Sequence, residues 1–309
     1  MDAIIDQSRE AIRAGSKSFA AAATLFDART RASAYMLYRW CRHCDDVIDG
    51  QTLGHGMQAG DAVAQRARLD ALLAHTRSAH AGEPTTDPVF SAFQRVVREN
   101  AIPERYPLEH LEGFRMDVEG RHYATLEDTL QYCYHVAGVV GVMMALVMGV
   151  RDRDALRRAC DLGIAFQLTN VARDVVEDAG AGRVYLPAQW LQEAGIAPDG
   201  IAAPENQEAL ARVVARLLDA AEPYYASAAV GLTALPPRCA WAIATAKNVY
   251  REIGMRVLAL GPRAWHERAV VPRRRKLYHV LAGAIEAAGA VSIQRALPRP
   301  ARAGLWTRD

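Results

Sequence analysis

The stretch QLTNVARDVVED, Gln167 to Asp178, decides the fold. At a helical advance of 100° per residue, Gln167, Asn170, Asp174 and Asp178 fall within an arc of roughly 80°, so two amides and two carboxylates share one helix face. The segment leading into it, Leu162 to Leu168 (LGIAFQL), is apolar and reads as interior helix. Carboxylates are costly in an interior unless something compensates them, so a cation should meet this face.

A second stretch answers to the same description. In YRWCRHCDDVID, Tyr38 to Asp49, the residues Tyr38, Arg42, Asp45 and Asp49 lie within roughly 60° of one another. Asp46 points about 100° away from Asp45, and Glu177 departs similarly from Asp178. Taken singly, each segment also reads as a charged face with pairs such as Arg42 to Asp45. Taken together, two helices with aspartates at i, i+4 can face one cavity and hold divalent ions, provided a ligand's phosphates complete the shells. Magnesium favours that division of ligands.

The rest of the chain supplies an apolar helical frame. Of 309 residues, 51% are hydrophobic and 23% charged, and 37 Lys and Arg against 35 Asp and Glu leave no global field that would point to nucleic acid. The 5 cysteines are odd in number and follow no secretory signal, which points to reduced thiols and a cytoplasmic location. Cys41 and Cys44 have no second pair to complete a zinc site and read as small apolar helix residues. The 15-residue run VAGVVGVMMALVMGV, Val136 to Val150, falls short of a bilayer span and reads as a buried helix.

Local signals divide the chain. A short amphipathic helix stops at Gly15, and SKSF (Ser16, Lys17, Ser18, Phe19) exposes a lysine and two hydroxyls at a bend. Asp27 is a plausible cap for a helix that runs to Asp49 and stops at Gly50. The first aspartate pair thus sits at a helix C-terminus, the unfavourable end for carboxylates, which favours a metal there. Leu53 to Gly60 reads as a glycine-rich loop, followed by helices over 64–76, 90–99 and 108–118. Thr125 to Asp128 resembles a capping box opening the helix that carries the apolar run. Gly138, Gly141 and Gly149 along it cost roughly 1 kcal/mol each relative to alanine, a cost that close helix packing or passage of a ligand repays. Helices follow over 152–178, 207–230 and 238–260, and a last one ends near Arg295. The AGAG run at 179–182 reads as a mobile flap beside the carboxylates. No strand-period alternation or nucleotide-binding glycine motif is present. The expected fold is all-α, a single-domain helical bundle over 1–297 with its site in a central cavity, followed by a disordered tail, 298–309.

Such a site suits a substrate whose diphosphate must leave. A metal neutralises charge on the departing oxygens, aided by Lys17, Arg42, Arg173 and Arg268. If the leaving group is allylic, a carbocation remains, to be stabilised by the faces of Tyr38 and Tyr132 and shielded from water by a wall over Val136 to Gly141.

These pieces resemble the squalene/phytoene synthase family, and its bacterial phytoene-forming members most. The resemblance is carried by SKSF at 16–19, YRWCRHCDDVID at 38–49, LEGFRMD at 111–117, YCYHVAGVVG at 132–141, QLTNVARDVVED at 167–178 and GRVYLP at 182–187, with weaker KNVYREIG and HER pieces at 247–254 and 266–268. It implies the class I isoprenoid (trans-prenyl) synthase fold and head-to-head condensation of two geranylgeranyl diphosphates, through a cyclopropyl diphosphate, to phytoene. It further implies Asp45, Asp49, Asp174, Asp178 and Asn170 as ligands of Mg2+, with Mn2+ as a substitute, and no need for NADPH. Arg42, Lys17 with Ser16 and Ser18, Arg173, Tyr250 and Arg268 would contact substrate diphosphate. Gln167, Tyr38 and Tyr132 would line the reacting region, Val136 and Gly141 the hydrocarbon wall, and Tyr185 would close the flap. Asp117 joins them as a weaker match. A squalene- or dehydrosqualene-type synthase acting on farnesyl diphosphate is the alternative, and a non-catalytic helical lipid-binding scaffold the distant one. An insoluble product leads us to expect peripheral contact with the inner face of the cytoplasmic membrane, with the basic run Arg273 to Lys276 as one candidate. It also suggests contact with an upstream diphosphate synthase or a downstream desaturase.

Overall fold

Side chains just outside the helices fix where the long ones begin. Asp27 Oδ1 accepts from the backbone N–H groups of Arg29 and Thr30, both at 3.0 Å, and Asp152 Oδ1 accepts from that of Ala155 at 2.9 Å. Thr125 and Asp128 form the reciprocal capping box. Gly50, at φ +62°, ends the first of these helices in the left-handed turn its sequence anticipates.

The structure is a computed structural model and describes residues 2–15, 17–50 and 62–308, the side chains of Lys17, Ser18 and Ala62 excepted. The expected loop at 53–60, Ser16 and the side chains of Lys17 and Ser18 therefore lie outside the described residues. In chain order the helices are α1 (Ala3–Gly15), α2 (Lys17–Ala23), α3 (Ala28–Asp49), α4 (Ala62–Ala81), α5 (Pro88–Glu99), α6 (Arg105–Val118) and α7 (Leu126–Cys133). After a π-helical turn at Tyr134–Gly138 come α8 (Val139–Val147), α9 (Arg153–Gly180), α10 (Ala188–Glu193), α11 (Gln207–Gly231), α12 (Pro237–Leu260) and α13 (Arg273–Ser292). Among the described residues there is no strand. The fold is all-α, as the periodicity predicts.

α9 runs through the middle, flanked by α8, α11 and α12. Its approach to α8 is closer than side chains permit. A methyl on Gly163 would stand 2.2 Å from the Ala137 carbonyl oxygen, and one on Gly141 would stand 2.3 Å from that of Ala159. The glycines thus serve close packing of helices whose inner faces also line the cavity. The π-helical turn lies within this contact; such insertions concentrate at functional sites, and here it carries Val136 and Ala137 to the cavity wall. Helices α7 and α8 with this turn make one apolar stretch of 22 residues, longer than the run expected from sequence. By length and composition it is long enough to cross a membrane, but 67% of its most apolar window is buried in this fold, where Met143 and Val139 are fully enclosed.

Residues 298–308, expected to be disordered, lie against the body: Arg302 pairs with the buried Asp161, and Arg299 with Asp152. An arginine- and proline-rich segment lacks local signals for order, but Asp161 requires a cation.

Gly163→Ala should lower stability by about 2 kcal/mol through overpacking. Gly289→Ala on α13, where the new methyl meets open space, should leave Tm unchanged or raise it. Calorimetry on the pair separates loss of close approach from a general effect of replacing glycine.

Candidate active site

Both aspartate-bearing helices reach the same hollow. A cavity of about 450 Å³ is lined by Tyr38, Arg42 and Asp45 from α3 together with Gln167 and Asn170 from α9. Arg183, just beyond α9, ties the two together. Gly182, at φ +77°, turns the chain back sharply, and the Arg183 guanidinium then pairs with the Asp49 carboxylate on α3. The same guanidinium acts electrostatically on Asp45, Asp117 and Asp178. The segment expected to be a mobile flap is pinned here by that pair and by the Tyr185 hydroxyl, which donates to Asp117 at 2.9 Å.

The cation that the buried carboxylates demand is arginine. Arg42 pairs with Asp45, and Arg173 forks onto Asp174, with one bond at 2.8 Å; Arg268 reaches Asp174 at 3.2 Å. Compensation is incomplete. Burial, with Asp174 close by, pushes Asp178 up to about 7 against the pull of Arg183. Burial also raises Asp45 to about 6 despite Arg42, with Asp49 adding to the rise. Asp117 is likewise raised to about 6 by burial, although Arg183 and the hydroxyls of Tyr185 and Tyr132 favour its charge. Burial opposes the charge of Arg183 itself, but the Asp49 hydrogen bond and the surrounding anions prevail and hold it protonated.

The donor set fits a hard divalent ion. Among the described residues, no three His, Cys, Asp or Glu side chains stand close enough to chelate a metal unaided. Magnesium seldom asks for that, since it takes one or two carboxylates and fills its shell from water and phosphate. Asn170 Oδ1 is buried beside this acidic end without a hydrogen-bond partner, and buried polar atoms are rarely left so without a ligand to meet.

Beyond the polar end the wall is apolar and aromatic. Phe166 stacks on Tyr250 with centroids 4.1 Å apart, and Phe19 stacks on Tyr250 at 5.5 Å while lying 6.2 Å from Phe166. Tyr132 stacks on Tyr185 at 4.5 Å, and both hydroxyls donate to Asp117. Of the residues singled out from sequence, Tyr38, Arg42, Asp45, Tyr132, Val136, Gly141, Gln167, Asn170 and Tyr250 line the cavity. Asp49, Asp174, Arg173 and Arg268 do not line it and belong to the ion-pair network beside it, Asp178 is reached by the charge of Arg183, and Tyr185 packs against Tyr132. Sequence inspection missed Arg183, Phe19 and Phe166 as site residues. A lone arginine after two glycines beside the second aspartate pair was the available signal for Arg183.

The all-helical fold is shared with solved structures. A dehydrosqualene synthase superposes with a TM-score of 0.79 at 28% identity, covering 91% of this chain and 95% of that one. A squalene synthase from Alicyclobacillus acidocaldarius gives 0.71 at 27% identity over 85% of this chain and 95% of that one. Residues 12–275 match the squalene/phytoene synthase family. A phytoene synthase of Pseudescherichia vulneris is 54% identical over 99% of this chain and 98% of its own length, and a 15-cis-phytoene synthase of Pantoea ananas is 53% identical over the same shares. The chain belongs to the squalene/phytoene synthase family.

The raised Asp178 carboxyl yields a stability test in chelator. Its folded value near 7 lies above the unfolded 3.8, so its contribution is fully present below about pH 4 and is lost as pH rises through about 7. Asp178→Asn should therefore match the wild type at pH 4 and exceed it at pH 8 by on the order of 2 kcal/mol, after discounting for partial exposure. Denaturant titrations at the two pH values check this.

Proposed function

We propose that this chain condenses two C20 allylic diphosphates head to head to phytoene, with release of both diphosphates. The single observation that carries this reading is the cavity itself, whose polar end is lined by Asp45 and Arg42 from α3, Gln167 and Asn170 from α9, and Arg183, and whose interior is aromatic and aliphatic. Identity above 50% to phytoene synthases along nearly the whole chain supports the C20 substrate over the C15 one.

Asp45 and Asp49 on α3 and Asn170, Asp174 and Asp178 on α9 would hold Mg2+, or Mn2+ in its place. When bound, the ion supplies Lewis-acid neutralisation of the departing diphosphate. The protein's own residues do the rest. Arg42, Arg173, Arg183 and Arg268 surround the aspartates and offer their remaining N–H donors to phosphate oxygens. The stacked faces of Phe19, Phe166 and Tyr250 stabilise the allylic cation. Apolar walls keep water from capturing it. The Asp117 carboxyl fixes the Tyr132 ring over the reacting region by accepting from its hydroxyl. The first cation is attacked by the C2=C3 double bond of the second substrate, and proton loss closes the cyclopropane. A second ionisation, rearrangement and proton loss give the triene centre of phytoene. No hydride is added at any step, so no NADPH is consumed. No nucleic acid takes part.

Purified protein given Mg2+ and C20 diphosphate should release phytoene with or without NADPH. Asp45→Asn and Asp174→Asn should each cut turnover by at least about 100-fold. A product whose central bond is saturated only with NADPH would move the protein to the squalene-forming branch. No turnover, with diphosphate affinity indifferent to Mg2+ and to both substitutions, would favour the non-catalytic scaffold.

Membrane contact belongs to the same reading and is supported by α13. Its inner face, with Gly283 and Ala287, is buried, while Leu277, Leu281 and Ile285 form an outward ridge exposed at 64%, 61% and 77%. Exposed Arg273 and Arg274 begin the helix, whereas Arg275 is committed to Glu252. Apolar ridge and basic end together suit an anionic bilayer surface. Leu281→Glu with Ile285→Glu should abolish flotation with phosphatidylglycerol vesicles; flotation indifferent to this pair, and to Arg273→Gln with Arg274→Gln, would remove the membrane from the account. Contacts with an upstream diphosphate synthase or a downstream desaturase would serve the same hand-over of apolar product.

A further inference from the structure

The C-terminal residues 298–308 are fastened to the outside of the cavity wall. Arg299 donates to Asp152 at 2.7 Å, and the Pro300 carbonyl accepts from Arg158 at 2.5 Å. Arg302 forks onto Asp161 with two bonds of 2.6 Å. The Trp306 N–H donates to the Tyr224 hydroxyl at 3.1 Å, its ring lies 5.3 Å from that of Tyr134, and Arg308 meets Glu109 at 3.0 Å. These contacts fall on α9, α11, α6 and the first residue of the π-helical turn.

The same elements form the wall from within. Ala155 and Ala159 of α9, Ala228 and Gly231 of α11, and Val136 of the π-helical turn all face the cavity. Arg158 belongs to both sides: it is 3% exposed, lines the cavity, and sends its guanidinium outward to Asp154, Ser227 and the Pro300 carbonyl. Asp161, one turn on, is wholly buried, and its other partner is the Ser227 hydroxyl at 2.6 Å. A carboxylate so placed depends on its cation, because losing one member of a buried pair leaves an uncompensated charge.

Depth gives these contacts a consequence. From Asp174 back to Arg158 is sixteen residues of α9, or about 24 Å. An extended C20 prenyl chain reaches on the order of 20 Å at ordinary C–C geometry, and a C15 chain stops roughly 5 Å sooner. With the diphosphate held at the aspartates and itself taking up the first few ångströms, the last isoprene of a C20 chain comes level with Arg158 and that of a C15 chain does not.

We infer that residues 298–308 are a strap that shapes the distal end of the hydrocarbon cavity, with Arg302 as a positioning residue acting through Asp161 and Arg158 to favour C20 over C15 substrates. This rests on the function proposed above. Without Arg302, the cation nearest to Asp161 along α9 is Arg158, three residues earlier. Its guanidinium turns inward along the helix, lets go of Pro300, and carries with it the stem that lines the cavity.

The test compares C20 and C15 allylic diphosphates for the wild type, Arg302→Gln, and Arg302→Gln with Asp161→Asn, measuring kcat, KM and Tm on the full-length chain. Arg302→Gln should lower kcat/KM for C20 by about tenfold, chiefly through KM, with less than a twofold change for C15. The double variant removes the buried charge that draws Arg158 inward, and should therefore recover both Tm and the C20 preference. Equal losses on both substrates, an unchanged ratio in Arg302→Gln, or a ratio that stays lost in the double variant while Tm recovers would overturn the strap. If the wild type turns over neither diphosphate, the proposed function has failed; the strap is then decided by the relative affinity for C20 and C15 thiodiphosphates, with the same shift expected in Arg302→Gln and its reversal in the double variant, and the absence of either overturning it.

Discussion

Carboxylates brought together under cover of protein govern this fold. Asp45, Asp117 and Asp178 are each raised above the usual carboxylate range because burial outweighs the arginines beside them. The helices bearing them stay together because Arg183 crosses from one to the other and because Arg42 and Arg173 neutralise charge locally. The compensation being partial, a ligand that brings further positive charge finds a site already strained to receive it. A diphosphate accompanied by divalent ions is such a ligand.

The hydrocarbon end obeys a different constraint, contact rather than charge. Gly163 and Gly141 let α8 and α9 approach until backbone meets backbone, which holds that wall rigid. The π-helical turn, Phe166 and Tyr250 then present side chains from a fixed surface. A cation produced between the two ends meets aromatic faces and no water, which is what allows the chain to direct a rearrangement rather than a hydrolysis.

Much of this was legible locally. The aspartate faces follow from spacing alone, and Asp27, Asp152, Thr125 and Gly50 set helix ends where short-range rules place them. What could not be read depends on contacts between distant residues. Arg183 meets Asp49 across 134 positions and Arg302 meets Asp161 across 141, and no local pattern encodes either pairing. The contact of the tail is of this kind: its composition resembles that of disordered segments, while Arg302 meets a buried carboxylate on α9. The π-helical turn was hidden because one inserted residue leaves the helical periodicity of YCYHVAGVVG nearly unchanged.

The most direct test of the account is electron paramagnetic resonance of Mn2+ added to the protein with and without inorganic pyrophosphate. The account predicts weak, uncoupled binding of Mn2+ alone, and with pyrophosphate a tightly bound, spin-coupled set of ions that is lost in Asp45→Asn and in Asp174→Asn alike. Tight Mn2+ binding indifferent to pyrophosphate, or a coupled signal that survives loss of either aspartate, would contradict the claim that the two helices act on one diphosphate.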